Sequence, residues 1–165
     1  MMLKLKIKKA KGDAKTGPRT LIVGDGAVKE IGTLCNRRHT KVLCFTNSLV
    51  LDISTKILDI AAANSTVETL ILHTGALDVV KQQSEVLKQD FIELLDKVRS
   101  LDIALFISGP LPTIRGGDER FSRLLMLNKW LKTTCATRSV NFIDNFNINH
   151  PAWSRTRDNT KQNSR

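Results

Sequence analysis

Five short apolar runs, separated by turns and helical patterns, constrain the fold of this 165-residue chain more than any other feature. The runs have the length and composition of buried strands, and they are Leu21 to Val23, Lys41 to Phe45, Thr69 to His73, Ile103 to Ile107 and Val140 to Ile143. Apolar residues at helical spacing predict three helices, over Val50 to Ala63, Ser84 to Ser100 and Asp118 to Cys135. A further helical segment is predicted from Ala27 to about Cys35, and Ser84 is the predicted N-cap of its helix. This alternation predicts an α/β fold in three layers, in which helices cover both faces of about five parallel strands.

The turn at Gly24-Asp25-Gly26 ends the first run and should lie at the centre of any site. Ligands of open parallel sheets bind outside the carboxyl ends of the strands, so the loops to consider are 24–27, 46–49, 74–78, 108–113 and 144–150. From the residues alone, the turn could be a phosphate-binding loop, the nucleophile turn of a hydrolase, or two glycines that only make a tight turn. A dinucleotide fingerprint is weak because Lys29 stands where the third glycine belongs, and no Walker loop is present.

Positive charge is concentrated at the two ends of the chain. Residues 1–19 carry seven Lys or Arg and one Asp, residues 149–165 carry four and one, and residues 20–148 are nearly neutral with fifteen and fourteen. We therefore predict one domain over residues 19–147, flanked by basic disordered tails over 1–18 and 148–165. Tails of this kind either stay solvated or bind RNA, DNA or anionic membranes without sequence specificity.

Composition narrows the class of protein further. No apolar run is long enough to cross a membrane, and the basic N-terminal residues lack the apolar core of a secretory signal. Three cysteines without CxxC spacing (Cys35, Cys44 and Cys135) argue against a disulfide framework or a zinc site. We expect an intracellular (cytoplasmic) protein with free thiols, no metal and no cofactor, and the sequence does not predict its oligomeric state.

Longer blocks carry a family resemblance that no short motif provides. The most specific are Ser84-Glu85 through Asp90-Phe91 and the run SGPLPTIRGGDERFSRLLMLNKWL, which begins at Ser108 and continues into FIDNFN. Over about Thr20 to Asn147 the chain resembles SGNH (GDSL-type) esterases, and more closely the esterase domain of the first-reading-frame proteins of vertebrate LINE-type retrotransposons. The resemblance implies a flavodoxin-like fold that hydrolyses lipid or acetyl esters with a serine nucleophile.

The hallmark blocks of that family are altered here. Where the resemblance places the nucleophile serine of GDS, this chain has Gly26 after Gly24 and Asp25. The oxyanion glycine of the second block corresponds to Asn47, and the GxND block reads Gly75-Ala76-Leu77-Asp78, so Leu77 replaces the oxyanion asparagine. The closing DxxH block is missing after Asn147. His150-Pro151 matches part of it, but Asn147 stands at the aspartate position, and we interpret the match as coincidence.

The altered positions are those that perform chemistry. Glycine carries no nucleophile, leucine donates no hydrogen bond, and without the histidine no base takes the serine proton. Two other polar residues lie in the same loops: Ser48, which we interpret as a turn residue, and His73, which we interpret as structural or directed to solvent.

Three functional hypotheses follow from the sequence. The first is an SGNH-type esterase domain that has lost its activity, and the second is a module that binds nucleic acid or anionic membranes through its tails. The third is an open reading frame left by a decayed element, for which we expect marginal stability because the missing closing helix leaves one sheet face partly uncovered.

Overall fold

A five-stranded parallel sheet organises the computed structural model, which describes residues 16–147. The strand order is β2-β1-β3-β4-β5, with β1 (Thr20–Gly24), β2 (Thr40–Cys44), β3 (Thr69–His73), β4 (Ala104–Ser108) and β5 (Asn141–Ile143). A 3-10 turn covers Gly26–Val28, and the helices are α1 (Ile31–Leu34), α2 (Val50–Ala63), α3 (Ala76–Lys81), α4 (Ser84–Val98) and α5 (Gly117–Thr137). The predicted α/β fold with about five parallel strands is confirmed.

One face of the sheet forms the main core. Leu21 and Val23 of β1 are in register with Leu70 and Leu72 of β3, so their side chains share this face. They are at most 1% exposed and pack in one buried cluster with residues of α2, α4 and α5, among them Ile53, Ile57, Phe91, Leu94, Leu124 and Leu131. Burying side chains of this size contributes roughly 1.5–3 kcal/mol each, so this layer holds the three long helices on the sheet.

The opposite face is apolar but less well covered. A Cβ atom added to Gly32 of α1 would lie 3.6 Å from Val42 of β2, which places this short helix against the second face. Val42, Ile71, Phe106 and Ile143 alternate with the core-facing residues of their strands and are only partly buried. None of these four belongs to the main cluster of the described chain.

Three local predictions were wrong. The segment after Gly26 is not one helix but a 3-10 turn and a separate four-residue helix, because two glycines, Gly26 and Gly32, weaken helix formation there. Residues 74–78 are not only loop, since α3 begins at Ala76. Ser84 is the first residue of α4 and not its N-cap: Gln83 takes that place, and its carbonyl accepts a hydrogen bond from the N–H of Leu87 at 3.1 Å.

The cysteines of the described residues are free thiols. Cys35 and Cys44 are half-buried, and Cys135 lies in the core, where burial raises the pKa of its thiol to about 11. Within residues 16–147, no helix has the length and apolar character needed to cross a membrane.

Candidate active site

The loops that follow β1, β2 and β3 meet at the carboxyl edge of the sheet, because β1 lies between the other two strands. Gly24 is in register with both Cys44 and His73. The carbonyl of Gly24 accepts a hydrogen bond from the Phe45 N–H at 2.8 Å, and the carbonyl of His73 accepts one from the Asp25 N–H at 3.1 Å. The structure thus brings the first three hallmark loops together, as the sheet order requires.

The turn at Gly24-Asp25-Gly26 contains one glycine that packing demands and one that it does not. A Cβ atom on Gly24 would lie 2.4 Å from the His73 carbonyl oxygen and 2.6 Å from Val28 Cγ1, so no other residue fits there. The Asp25 carboxylate caps the 3-10 turn by accepting the Ala27 N–H at 3.1 Å. Gly26 is exposed, and an added Cβ would have no neighbour within 4 Å. A serine could therefore occupy position 26 without a clash.

The second loop holds Asn47 and Ser48. Asn47 has a φ of +63°, a left-handed conformation that glycine adopts without strain and that asparagine tolerates better than most residues. This backbone geometry suits a position where the family resemblance places a glycine. Ser48 is 8% exposed, and its N–H donates to the Phe45 carbonyl at 3.2 Å, which fits the predicted turn residue.

In the third loop, the backbone and its packing require glycine at position 75, whereas Leu77 offers no hydrogen-bond donor. Gly75 has a φ of +110°, and a Cβ atom there would lie 2.9 Å from Phe91 Cζ, so both conformation and packing require glycine. Leu77 is half-buried in α3 and presents an alkyl side chain, which cannot donate a hydrogen bond to an oxyanion.

Asp78 of the third loop caps another helix, α2, from inside the protein. Its carboxylate oxygens lie 3.0 and 3.2 Å from the N–H of Val50, the first residue of α2, and the residue is fully buried. Burial raises the pKa of the Asp78 carboxyl to about 6; the Val50 hydrogen bond opposes this shift, and the charge of Asp90 adds to it. A capping carboxylate at a helix N-terminus is also favoured by the helix dipole.

His73 belongs to a hydrogen-bond network that the sequence did not predict. It is 7% exposed, so an orientation to solvent was the wrong alternative and the structural interpretation fits. Its Nδ1 lies 3.0 Å from Ser108 Oγ, and the Asn145 side-chain amide donates to the same oxygen at 3.0 Å and to the Gly109 carbonyl at 2.7 Å. Burial lowers the pKa of His73 despite the opposing charge of Asp25, so the imidazole is neutral at pH 7.

This network joins the ends of β3 and β4 to the segment after β5. The available sequence signal was positional: His73 and Ser108 are the last residues of neighbouring strands and directly in register. The role of Asn145 carried no comparable signal, because it depends on how the chain turns after β5.

Asp144, the residue before Asn145, is held in its ionised form. Burial opposes the ionisation of its carboxyl, but hydrogen bonds from Asn128, the Phe146 N–H and Lys132 outweigh that effect and hold its pKa below the ordinary value.

His150 lies outside the described residues, so the structure does not place it against these loops. Among residues 16–147, no group of three or more His, Cys, Asp or Glu side chains is arranged to hold a metal ion.

Comparisons with known proteins identify relatives of this architecture. No family model matches the chain, and no curated protein matches it. A solved structure, the esterase domain of the ZfL2-1 ORF1 protein from the zebrafish ZfL2-1 retrotransposon, is 40% identical over 75% of this chain and 76% of its own. The TM-score of that pair is 0.35, so sequence identity and not superposition carries the relationship.

Two distant structures share the fold. A member of the lipolytic protein G-D-S-L family from Veillonella parvula superposes with a TM-score of 0.61, at 15% identity over 76% of each chain. AlinE4, an SGNH-hydrolase family esterase, gives a TM-score of 0.58 at 11% identity over 85% of this chain and 84% of its own. The sequence relationship and the shared fold lead to one conclusion: the chain belongs to the SGNH (GDSL-type) hydrolase family, as an esterase domain of the retrotransposon ORF1 type.

Proposed function

We propose that this chain is a catalytically silent SGNH esterase domain, whose ancestral chemistry was the hydrolysis of lipid or acetyl esters by a serine nucleophile. The observation that carries the proposal is position 26: a 3-10 turn capped by Asp25 begins there, directly after β1, and the residue at the place of the nucleophile is glycine. Covalent catalysis needs a nucleophilic atom at that point, and glycine has none.

The oxyanion position is also altered. Loss of a single oxyanion donor lowers the rate of a serine protease about 10²–10³-fold, and Leu77 offers no such donor. The N–H of Gly26 has no hydrogen-bond partner within residues 16–147, so a backbone donor is retained there. A site with the Gly26 N–H but no nucleophile and no side-chain donor can hydrogen-bond the carbonyl group of an ester, but it lacks the groups that hydrolyse one.

Neither neighbouring serine is a good substitute. Ser48 is buried. Ser108 Oγ lies 3.0 Å from His73 Nδ1, a distance at which a base can activate a serine, and it also accepts the side-chain amide of Asn145. The N–H of the adjacent Gly109, however, donates to the Ile143 carbonyl at 2.9 Å, so this donor is not available to an oxyanion beside Ser108.

The test is hydrolysis of p-nitrophenyl acetate by the parent and by two alanine variants, Ser48→Ala and Ser108→Ala. We expect all three proteins to give the rate of buffer alone. A parent rate above buffer that falls at least about tenfold in either variant would contradict the proposal and identify the replacement nucleophile. Circular dichroism and thermal unfolding of each protein show whether a variant remains folded.

Basic tails favour a second candidate, a module that binds RNA or anionic membranes without specificity. The supporting observation is the charge distribution, since residues 1–19 have a net charge of +6 in a chain whose residues 20–148 are close to neutral. Affinity for a single-stranded RNA should then fall steeply with salt and be lost when residues 1–18 are removed. Equal affinity of the parent and the truncated protein would refute this role.

A further inference from the structure

A groove of about 570 Å³ runs along α5, beside α3 and the first turn of α4. Five of its lining residues lie on one side of α5, at helical spacing: Arg123, Met126, Leu127, Trp130 and Thr133. At 1.5 Å per residue, this stripe is about 15 Å long. None of the hallmark positions 24–26, 47, 75 and 77 lines the groove, so it is distinct from the candidate active site.

The floor of the groove is apolar. Val79, Leu87 and Leu127 are at most 6% exposed and form part of the main core. Trp130 packs against the ring of Phe91 with the centroids 6.2 Å apart. At the edge, Met126 is 68% exposed, an unusual position for a long apolar side chain beside a cavity. Flexible methionine and rigid tryptophan side chains are typical of surfaces that take up apolar ligands.

Three cations and no carboxylate line the same groove. Arg123 Nη2 donates to the Gln82 carbonyl at 2.8 Å, which holds the guanidinium in place while its other N–H groups remain available. Lys88 lies 3.2 Å from the carboxylate of Glu85, whose side chain is 85% exposed, so this ion pair is weak. Lys129 makes no ion pair with any residue of the described chain.

We propose that this groove binds a single-chain anionic amphiphile, a medium- or long-chain carboxylate such as dodecanoate. The carboxylate would meet the guanidinium of Arg123, which suits a planar two-oxygen group, and the alkyl chain would follow the apolar stripe toward Thr133. The volume lies within the roughly 300–1,000 Å³ of small-molecule sites, and such sites combine apolar walls with a few charged groups. The inference is independent of the proposed loss of catalysis, because binding here needs no residue of the candidate active site.

Trp130 provides the signal for a direct test. The other tryptophan, Trp153, lies outside the described residues and is replaced in a Trp153→Phe background, so that all emission comes from the groove. Dodecanoate, added below its micelle concentration, should shift the emission of Trp130 saturably. Octanoate should bind at least tenfold more weakly, because it buries four fewer methylene groups along the apolar stripe. Dodecyltrimethylammonium, with the same chain and the opposite charge, should not bind.

Three variants, each lowering the net charge by one, separate the groove from general electrostatics. Arg123→Gln should weaken dodecanoate binding about tenfold because it removes the charged donor that meets the carboxylate. Met126→Glu should weaken it about as much because it places a like charge and a polar group at the apolar edge of the groove. Met126→Glu retains helix propensity at an exposed position, so it should not affect folding. Arg38→Gln, in the exposed loop before β2, is the matched control and should leave affinity within twofold.

Several results would overturn the proposal. One is the absence of saturable dodecanoate binding by both fluorescence and calorimetry. Others are equal affinity for the cationic amphiphile, or an equal loss of affinity in Arg38→Gln. A shift of Trp130 emission by an acidic amphipathic peptide, without one by dodecanoate, would assign the groove to a protein partner instead.

Discussion

Replacing Asp78 by asparagine should change how the stability of this domain depends on pH. The carboxylate is fully buried against the Val50 N–H, and burial raises its pKa from 3.8 to about 6. A carboxyl group whose pKa is higher in the folded state than in the unfolded state binds more protons when folded. Its contribution to stability is therefore complete below about pH 4 and is lost as the pH rises through about 6.

The size of the effect follows from the shift. At 1.36 kcal/mol per pKa unit, a rise from 3.8 to about 6 corresponds to about 3 kcal/mol over the whole window, and to roughly 2–3 kcal/mol between pH 4 and pH 7.5. Asparagine keeps one oxygen to accept the Val50 N–H and has no charge to bury. The stability of Asp78→Asn relative to the parent should thus be about 2–3 kcal/mol higher at pH 7.5 than at pH 4.

Urea unfolding of both proteins at the two pH values measures this difference. Asp59→Asn, which removes a solvent-exposed carboxylate from the same helix α2, is the matched control and should show almost no such difference. Asp78→Ala leaves the Val50 N–H without its acceptor and should lose about 1–3 kcal/mol at either pH. A relative stability of Asp78→Asn that stays within about 0.5 kcal/mol from pH 4 to pH 7.5 would refute the reasoning.

Two further predictions concern the glycines and the thiols. Gly24→Ala should lose at least about 1–3 kcal/mol in urea unfolding because its Cβ would meet the His73 carbonyl at 2.4 Å, whereas Gly26→Ser should stay within about 0.5 kcal/mol of the parent; similar losses in both would show that the geometry of the turn is wrong. Cys135 should react with a thiol reagent at pH 8 only after unfolding, because burial raises its pKa to about 11, and rapid reaction of Cys135 in the native protein would contradict that burial.

The elements that the sequence predicted well are those set by local pattern. The bounds of α2 and β3 agree with the structure residue for residue, because their apolar residues follow one clear period. The loops after the first three strands also meet at one edge of the sheet, as the parallel α/β pattern predicts, since β1 lies between β2 and β3.

Features that depend on contacts distant in sequence could not be predicted. Asp78 caps α2 through a contact 28 residues away, and Asn145 reaches Ser108 across 37 residues. Nothing in the spacing of these residues indicates such contacts. The prediction of one helical segment from Ala27 was wrong for a related reason. Val28 is fully buried beside Gly24, and this packing, together with the glycines, outweighs the local preference for one continuous helix.

The central claim is that this esterase domain has no working nucleophile, and serine-directed labelling tests it most directly. The parent protein is incubated with a fluorophosphonate probe, which modifies activated serines, and intact mass is followed by peptide mapping. The proposal predicts no adduct on the folded parent. A stoichiometric adduct on one serine, lost when the protein is unfolded before labelling, would show that a nucleophile survives and that the domain is an active hydrolase.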